Sequence, residues 1–261
     1  MKTMTTLLLS ALCVATVNAQ TEDKSNVMLN NGISFLNIPY VAHTLEVNDG
    51  TEELIINCDE VDCTTFVEYA LAMSLSSTED GQVAEGEFAD NLQKIRYRDG
   101  KINGYISRLH YNTDWANNGI RQGFLEDVAA TYSPYTRRVS LSYMSSHPEQ
   151  YKHLSNSPEN VAKIKEIESS LSGQEFHFVP EELVKFNGLP WIKNGDIIAI
   201  TTNTPGLDVT HMGIAFYVDD KLCLLHASSK DKKVVVSKVA LGQMLKSNDN
   251  WTGIRVLRMK K

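Results

Sequence analysis

Three residues of this chain have the types needed for nucleophilic chemistry: Cys63 after Asp62, His211 in Thr210-His211-Met212-Gly213, and His226 in Leu225-His226-Ala227. A thiol that attacks an acyl carbon needs a base within hydrogen-bond reach and a third group that fixes the base's tautomer. One cysteine and two histidines supply those types. Asp62 is a favoured N-cap residue, which places Cys63 at the first position of a helix whose apolar face is Phe66, Val67, Ala70, Leu71 and Met73. Unpaired N–H groups and the positive end of the helix dipole favour an anion there, so the expectation is a thiolate with a lowered pKa. The competing readings are an inert buried thiol for the cysteine and a satisfied core or surface side chain for each histidine. The same trio contains zinc-ligand types, but neither Cys-x-x-Cys nor His-Glu-x-x-His occurs, and no metal or cofactor is implied.

The elements that must position these residues are best marked in the C-terminal third. Asn194-Gly195-Asp196 reads as a turn into a strand at 197–202. Strands at 210–218 and 221–228 form a hairpin about Asp219-Asp220, and strands at 232–237 and 251–259 flank a short helix at 239–246. This is an antiparallel sheet. Alternation puts His211, Gly213, Ala215 and Tyr217 on one face and Met212, Ile214 and Phe216 on the other. The small residues Gly213 and Ala215 predict that the Cys63 helix lies on the histidine face. His226 shares its face with Leu224 and Leu222, opposite Cys223, and the tight turn makes it a neighbour of His211.

Upstream, a short amphipathic segment within 26–46 is followed by Ile38 to Ala42, held extended by Pro39, with Tyr40 as a half-buried aromatic. Residues 53–57 read as a strand and 58–61 as the turn into the Cys63 helix. Between 77 and 189 helical and extended patterns alternate. A helix is expected at 88–97, and another from the N-cap Ser157 through Pro158 to Ser172, stopped by Gly173. Arg108-Leu109-His110-Tyr111-Asn112-Thr113-Asp114-Trp115 gathers basic, aromatic and amide side chains suited to a sugar or peptide groove; the plainer alternative is a polar loop anchored by Trp115.

Lys2, the apolar run Leu7 to Val17 and Val17-Asn18-Ala19 predict a signal peptide, residues 1–19, leaving an exported catalytic domain at 20–261. No stretch is long and apolar enough to predict a membrane span. A net charge of −7 gives no basic face for nucleic acid, and 42% hydrophobic residues suffice for a sizeable core. Cys58, Cys63 and Cys223 are too few for a disulfide scaffold. Cys58 and Cys223 are read as buried thiols, with a Cys58–Cys223 bridge as the alternative that spares Cys63.

In order, IPYVAHTLE, DCTTFVEYALAMS, NGDIIAI, THMGIAFY and LLHASS resemble the motifs of the NlpC-type papain-like cell-wall hydrolases. Thr64 departs from the usual serine after the cysteine. The resemblance implies an α+β fold with a papain-like core: a nucleophile helix packed on a C-terminal antiparallel sheet, with 77–189 as a large mixed insertion. It implies Cys63 as nucleophile, His211 as base and His226 as the orienting residue, with Tyr40 and Asp62 beside the substrate. RYRDGKINGYISRLHYNTDW further resembles the N-acetylmuramoyl-L-alanine amidase-like branch of exported and periplasmic bacterial proteins. That branch implies cleavage between N-acetylmuramic acid and L-alanine, with preference for anhydro-muramoyl muropeptides. Arg108, His110, Tyr111 and Trp115 would then face the N-acetylated sugar. The expected partners are peptidoglycan fragments, with no nucleic acid and no obligate protein partner, and the location is periplasmic or extracellular. The alternatives are an endopeptidase cutting after γ-D-glutamate and a non-catalytic muropeptide-binding protein.

Overall fold

A computed structural model describes residues 26–46, 51–78 and 83–260; the signal-peptide reading of residues 1–19 lies outside the described residues. The helices are α1 (Val27–Ile33), α2 (Cys63–Leu75), α3 (Glu85–Arg96), α4 (Asn112–Arg121), α5 (Val128–Tyr132), α6 (Tyr143–Ser146), α7 (Lys152–Ser155), α8 (Pro158–Leu171) and α9 (Leu241–Leu245). The strands are β1 (Leu125–Asp127), β2 (Thr136–Arg138), β3 (Glu175–His177), β4 (Val179–Pro180), β5 (Ile197–Thr202), β6 (Val209–Val218), β7 (Lys221–Ser228), β8 (Lys233–Val236) and β9 (Trp251–Met259).

The main sheet is antiparallel in the order β1-β9-β5-β6-β7-β8, with β4 also on β9; β2 and β3 form a separate ribbon. Its centre is β5, buried at all six positions because both of its faces are covered. Ile197 and Ala199 join one core with α2, while Ile198 and Ile200 join a second core with Leu241 and Leu245 of α9. The β6–β7 hairpin turns at Asp219 and Asp220, both at positive φ (49° and 60°), the geometry a two-residue turn needs to match strand twist.

The segment from 77 to 189 is woven into this frame rather than appended to it. Its strands β1 and β4 both pair with β9, and its Leu92, Ile95, Trp115 and Leu125 share the core of α2. It also builds a third core around Tyr111, Met144, Ile164 and Phe176.

Three sequence expectations are corrected. First, α2 lies on the Met212 and Ile214 face of the sheet, with Leu225 and Ala227, and not on the Gly213 and Ala215 face. The space at Gly213 serves the neighbouring strand instead: a Cβ there would sit 2.7 Å from the Leu225 carbonyl and 2.8 Å from the Leu224 side chain. Second, residues 53–57 form no strand. Side chains from the helical layer hold them: the Tyr97 hydroxyl donates to the Glu53 carbonyl (2.9 Å), Arg96 donates to the Ile55 carbonyl (2.6 Å), and the Asn57 N–H donates to the Tyr69 hydroxyl (3.0 Å). Third, the run Arg108 to Trp115 is not a loop throughout, since α4 starts at Asn112. Among the described residues no helix is long and apolar enough to cross a membrane.

Candidate active site

Asp62 caps α2 as its position in the sequence demands. Its carboxylate accepts from the N–H groups of Thr64 (2.9 Å) and Thr65 (2.8 Å), and the Thr65 hydroxyl accepts from the Asp62 N–H at 2.9 Å, closing a capping box. Asp62 is thereby committed to the helix start. The cap fixes Cys63 at the first turn, where a cavity of about 90 Å³ is lined by Cys63, Thr64, Thr210, His211 and Met212 on one side. Leu109, His110, Tyr111, Asn112, Trp115, Leu207, Asp208 and Val209 complete its walls.

His211 stands on β6 at a register shift opposite Ile200 and Thr201 of β5. Its Nε2 lies 2.7 Å from Nδ1 of His226 on β7, with the two rings perpendicular. Trp251 stacks parallel to the His211 ring at 6.2 Å, so the imidazole is held by a hydrogen bond at one end and an aromatic plane beside it. This pairing leaves His211 Nδ1 as the ring nitrogen not engaged by His226. Burial lowers His211 to about 3, and His226 adds to the shift; burial lowers His226 to about 4, partly offset by Asp231. Both rings are therefore neutral at physiological pH.

The thiol departs from expectation. Burial pushes Cys63 up to about 11, and the adjacent Asp62 charge pushes in the same direction, while bonds from the Met212 backbone, the Thr64 hydroxyl and the Cys63 backbone pull it down. The helix start supplies its N–H groups, but its N-cap is a carboxylate and the sulfur is poorly solvated, so the resting state is a neutral thiol in a cavity that the neutral His211 imidazole also lines. Tyr40 is half-buried on the approach to Val61, and its hydroxyl is raised by burial and then by Cys63 and Asp62, which places it in their neighbourhood.

The 108–115 cluster separates into walls and braces. His110, Tyr111 and Trp115 line the cavity; Arg108 does not. Arg108 is buried and forks onto Glu52 with two bonds of 2.8 Å, with a third of 2.8 Å to Glu46. Tyr111 donates to Glu168 at 2.7 Å, and Trp115 packs in the core of α2, so both shape the cavity from within instead of offering open faces. His110 Nε2 contacts the Tyr105 carbonyl at 3.0 Å, and burial with the nearby Arg108 charge lowers it to about 3.

Sequence reasoning missed Asp208, a buried cavity-wall residue. Its carboxylate accepts from the Thr113 N–H (2.6 Å) and the Val209 N–H (2.8 Å), capping α4 from across the fold and docking it to the strand of His211. A lone Asp before a strand carries no signal of that kind. Cys58 and Cys223 are both free thiols, so the alternative of a bridge between them is not realised. Among the described residues no group of three or more His, Cys, Asp or Glu side chains is placed to hold a metal ion.

Fold and site together define a mixed α+β protein in which a helix-borne cysteine and a sheet-borne histidine line one cavity, the histidine bonded from behind to a second histidine on the next strand. The chain belongs to the AmiA-like family, described as N-acetylmuramoyl-L-alanine amidase-like, whose model matches residues 30–254. Among solved structures, it is similar to an N-acetylmuramoyl-L-alanine amidase from Bacteroides uniformis, with 70% identity over 90% of this chain and 100% of that one and a TM-score of 0.88. A Bacteroides fragilis protein provisionally named a xylanase is 65% identical over 88% of this chain and all of that one, with a TM-score of 0.86. A Legionella pneumophila protein at 20% identity shares the fold, with a TM-score of 0.66 over 91% of this chain and 89% of that one. No curated protein sequence matches the chain.

Proposed function

We propose that this protein is an exported cysteine amidase with an NlpC-type papain-like core, hydrolysing the amide between N-acetylmuramic acid and L-alanine in peptidoglycan fragments, anhydro-muramoyl muropeptides in preference. The observation that carries the reading is the His211–His226 bond at the cavity that Cys63 lines. With His211 Nε2–H donating to His226, Nδ1 of His211 is a lone-pair acceptor for the thiol proton. The Cys63 sulfur attacks the amide carbonyl as that proton moves to His211, and the Cys63 backbone N–H helps hold the oxyanion. The C–N bond then breaks, and His211 passes the proton to the leaving amine, which departs as the free peptide. Water attacks the thioester, giving one proton to His211; the C–S bond then breaks, His211 returns that proton to the Cys63 sulfur, and the sugar acid leaves as its carboxylate, its own proton going to solvent. Both neutral groups suit this order, since proton transfer accompanies attack.

A glycosidase reading fits the cavity poorly. Hydrolysis of a glycosidic bond uses two carboxylates about 5 to 9.5 Å apart. Asp208 is the one carboxylate among the residues lining the cavity, and it is already bonded to two backbone N–H groups.

The test is mass-spectrometric product analysis after incubation with an anhydro-muramoyl tetrapeptide. Free tetrapeptide plus the anhydro sugar acid is expected. A sugar still bearing L-alanyl-D-glutamate would place the cut within the stem and give the assignment to an endopeptidase. An unchanged substrate would point to a muropeptide-binding protein.

A further inference from the structure

Among the described residues, eight buried side-chain polar atoms have no protein hydrogen-bond partner, and three of them belong to the first turn of α4: Asn112 Oδ1, Thr113 Oγ1 and Trp115 Nε1. Buried polar groups are normally paired, so a run of exceptions needs a reason. Asn112 and Trp115 lie on one face of the helix, and both line the cavity that Cys63 and His211 also line. Asn112 is only 8% exposed. Its Nδ2 donates to the Met212 thioether at 3.5 Å, and the Met212 backbone in turn bonds the Cys63 sulfur, so carboxamide and thiol meet on one residue of β6. A thioether is a weak acceptor and the terminal torsion of an asparagine is soft, so the carboxamide can turn its oxygen toward the cavity at little cost. The backbone that carries it is pinned, because Asp208 accepts the Thr113 N–H at 2.6 Å.

Size and charge limit what can enter beside Asn112. The cavity, about 90 Å³, has the volume of about three waters at roughly 30 Å³ each, room for a small group and not for a sugar ring. Its lining residues include no lysine or arginine, and the one carboxylate among them, Asp208, is committed to two backbone N–H groups. Burial keeps His110 and His211 neutral. Leu109, Trp115, Leu207 and Met212 add apolar wall. The group that fits is small and neutral, with an apolar end and a hydrogen-bond donor. An acetamido group has those properties. In a muramoyl amide it stands on the ring carbon next to the one bearing the lactyl ether, so its N–H is within about 6 Å of the scissile carbonyl, a few bonds of roughly 1.5 Å each. Attack by Cys63 therefore brings it to the walls around Cys63.

We infer that Asn112 is a specificity residue whose Oδ1 accepts the N–H of the substrate's acetamido group, with the acetamido methyl against the apolar wall of Leu109 and Trp115. The inference rests on the amidase reading above. Binding gives the unpaired acceptor the donor that the fold withholds, and a substrate without that N–H leaves it unpaired in a closed site, which is the condition for strong discrimination.

The experiment compares two substrates that differ at one group: anhydro-muramoyl-L-alanyl-D-glutamate and its analogue in which an ester oxygen replaces the acetamido N–H. Release of the dipeptide is measured for both. The wild-type enzyme should prefer the acetamido substrate by about tenfold or more in kcat/KM, chiefly through KM. Asn112→Leu should bring the two substrates within about twofold of each other, and Asn112→Asp, which keeps an acceptor oxygen but not the amide donor, should retain the preference. An asparagine that only fills space would change both rates equally and leave their ratio as it was, so the ratio is readable even from a destabilised variant. Equal kcat/KM for the two substrates with the wild type, or an unchanged preference in Asn112→Leu, would overturn this inference and leave the amidase reading standing. Failure of the wild type to release peptide from either substrate would overturn both.

Discussion

The sheet with α2 and the segment from 77 to 189 are held together by different forces. In the first, apolar side chains at strand and helix periods do most of the work: Phe66, Ala70, Ile197, Ile214 and Leu225 fill one core, and Ile198, Ala215 and Leu224 fill the other. In the second, buried polar bonds carry the organisation. Arg96 meets Glu68 at 2.7 Å, Arg108 joins Glu46 and Glu52, Tyr111 bonds Glu168, and the Asn118 amide reaches the Lys94 carbonyl at 3.0 Å. The contrast separates two kinds of fragility. Chemistry sits where the apolar frame is strong, so reactive groups there can be altered with little loss of fold. The segment that walls the cavity has little tolerance for losing one partner of a buried pair.

Cys63→Ala gives the largest expected effect on activity. It should lower kcat/KM by about 10⁴-fold or more while denaturant unfolding stays close to wild type, because a residue at the first turn of a capped helix contributes little packing. His211→Ala should be nearly as severe. His226→Ala should be milder, about 10 to 100-fold, since water can replace an orienting partner more readily than a base. Wild-type-like turnover by Cys63→Ala would remove the nucleophile from the mechanism, and a reversed order for the two histidines would exchange their roles.

Arg108→Met should show the opposite profile. It leaves the Glu46 and Glu52 carboxylates, both largely withdrawn from water, without their cation, and a broken buried pair costs about 3 to 5 kcal/mol. Urea unfolding should report that loss. The activity that remains per folded molecule should be much closer to wild type than that of Cys63→Ala. A variant that unfolds like wild type but has lost turnover would make Arg108 a substrate contact after all.

What the sequence disclosed follows the same division. Asp62 and Ser157 cap their helices with the bonds their positions imply, Pro158 opens α8, and Asp219-Asp220 turns the hairpin, because each is a local signal read within four residues. The order Cys63, His211, His226 was legible as residue types, and the fold brings all three to one place. The face that α2 covers was not legible, because Gly213 looks like a seat for a helix and is a seat for Leu224. The thiol was also misread, since helix position is local and desolvation of the sulfur is not. Asp208 capping α4, 95 positions away in the chain, and Arg108 reaching back to Glu46 and Glu52 are non-periodic pairings that only the folded chain reveals.

A smaller effect concerns pH. His110, His211 and His226 are held at about 3, about 3 and about 4, all below the ordinary 6.5, and burial is the leading cause for each. Between those values and 6.5 the unfolded chain binds protons that the folded chain refuses. Stability from this source is therefore complete above about pH 6.5 and declines as pH falls toward 4. The acid limb of kcat/KM should likewise lie well below 6.5, because the His211–His226 pair titrates as a unit and must stay neutral to accept the thiol proton. Measuring kcat/KM and thermal midpoint from pH 4 to 8 checks both. An acid limb centred near 6.5 would mean that the pair is far better solvated than its packing implies.

The smallest effect is expected at Cys58 and Cys223. Cys58 is half-buried with its thiol pushed up to about 11 by burial, reinforced by Asp59, and it lies in the bend before α2 rather than at a helix start. Cys223 is buried on β7 opposite Phe216, and strand alternation turns it to the face away from His226. Both are free, so neither closes a loop, and removing them takes away no cross-link. The Cys58→Ser, Cys223→Ser double variant should keep kcat/KM within about twofold and lose stability by about 1 kcal/mol, chiefly from placing a hydroxyl in the buried site of Cys223. The same variant, made in the chain without residues 1–19, sharpens the first comparison, since Cys63 is then the one thiol left for a reagent that abolishes activity. A well-folded but inactive double variant would show that one of these two sulfurs takes part in the chemistry.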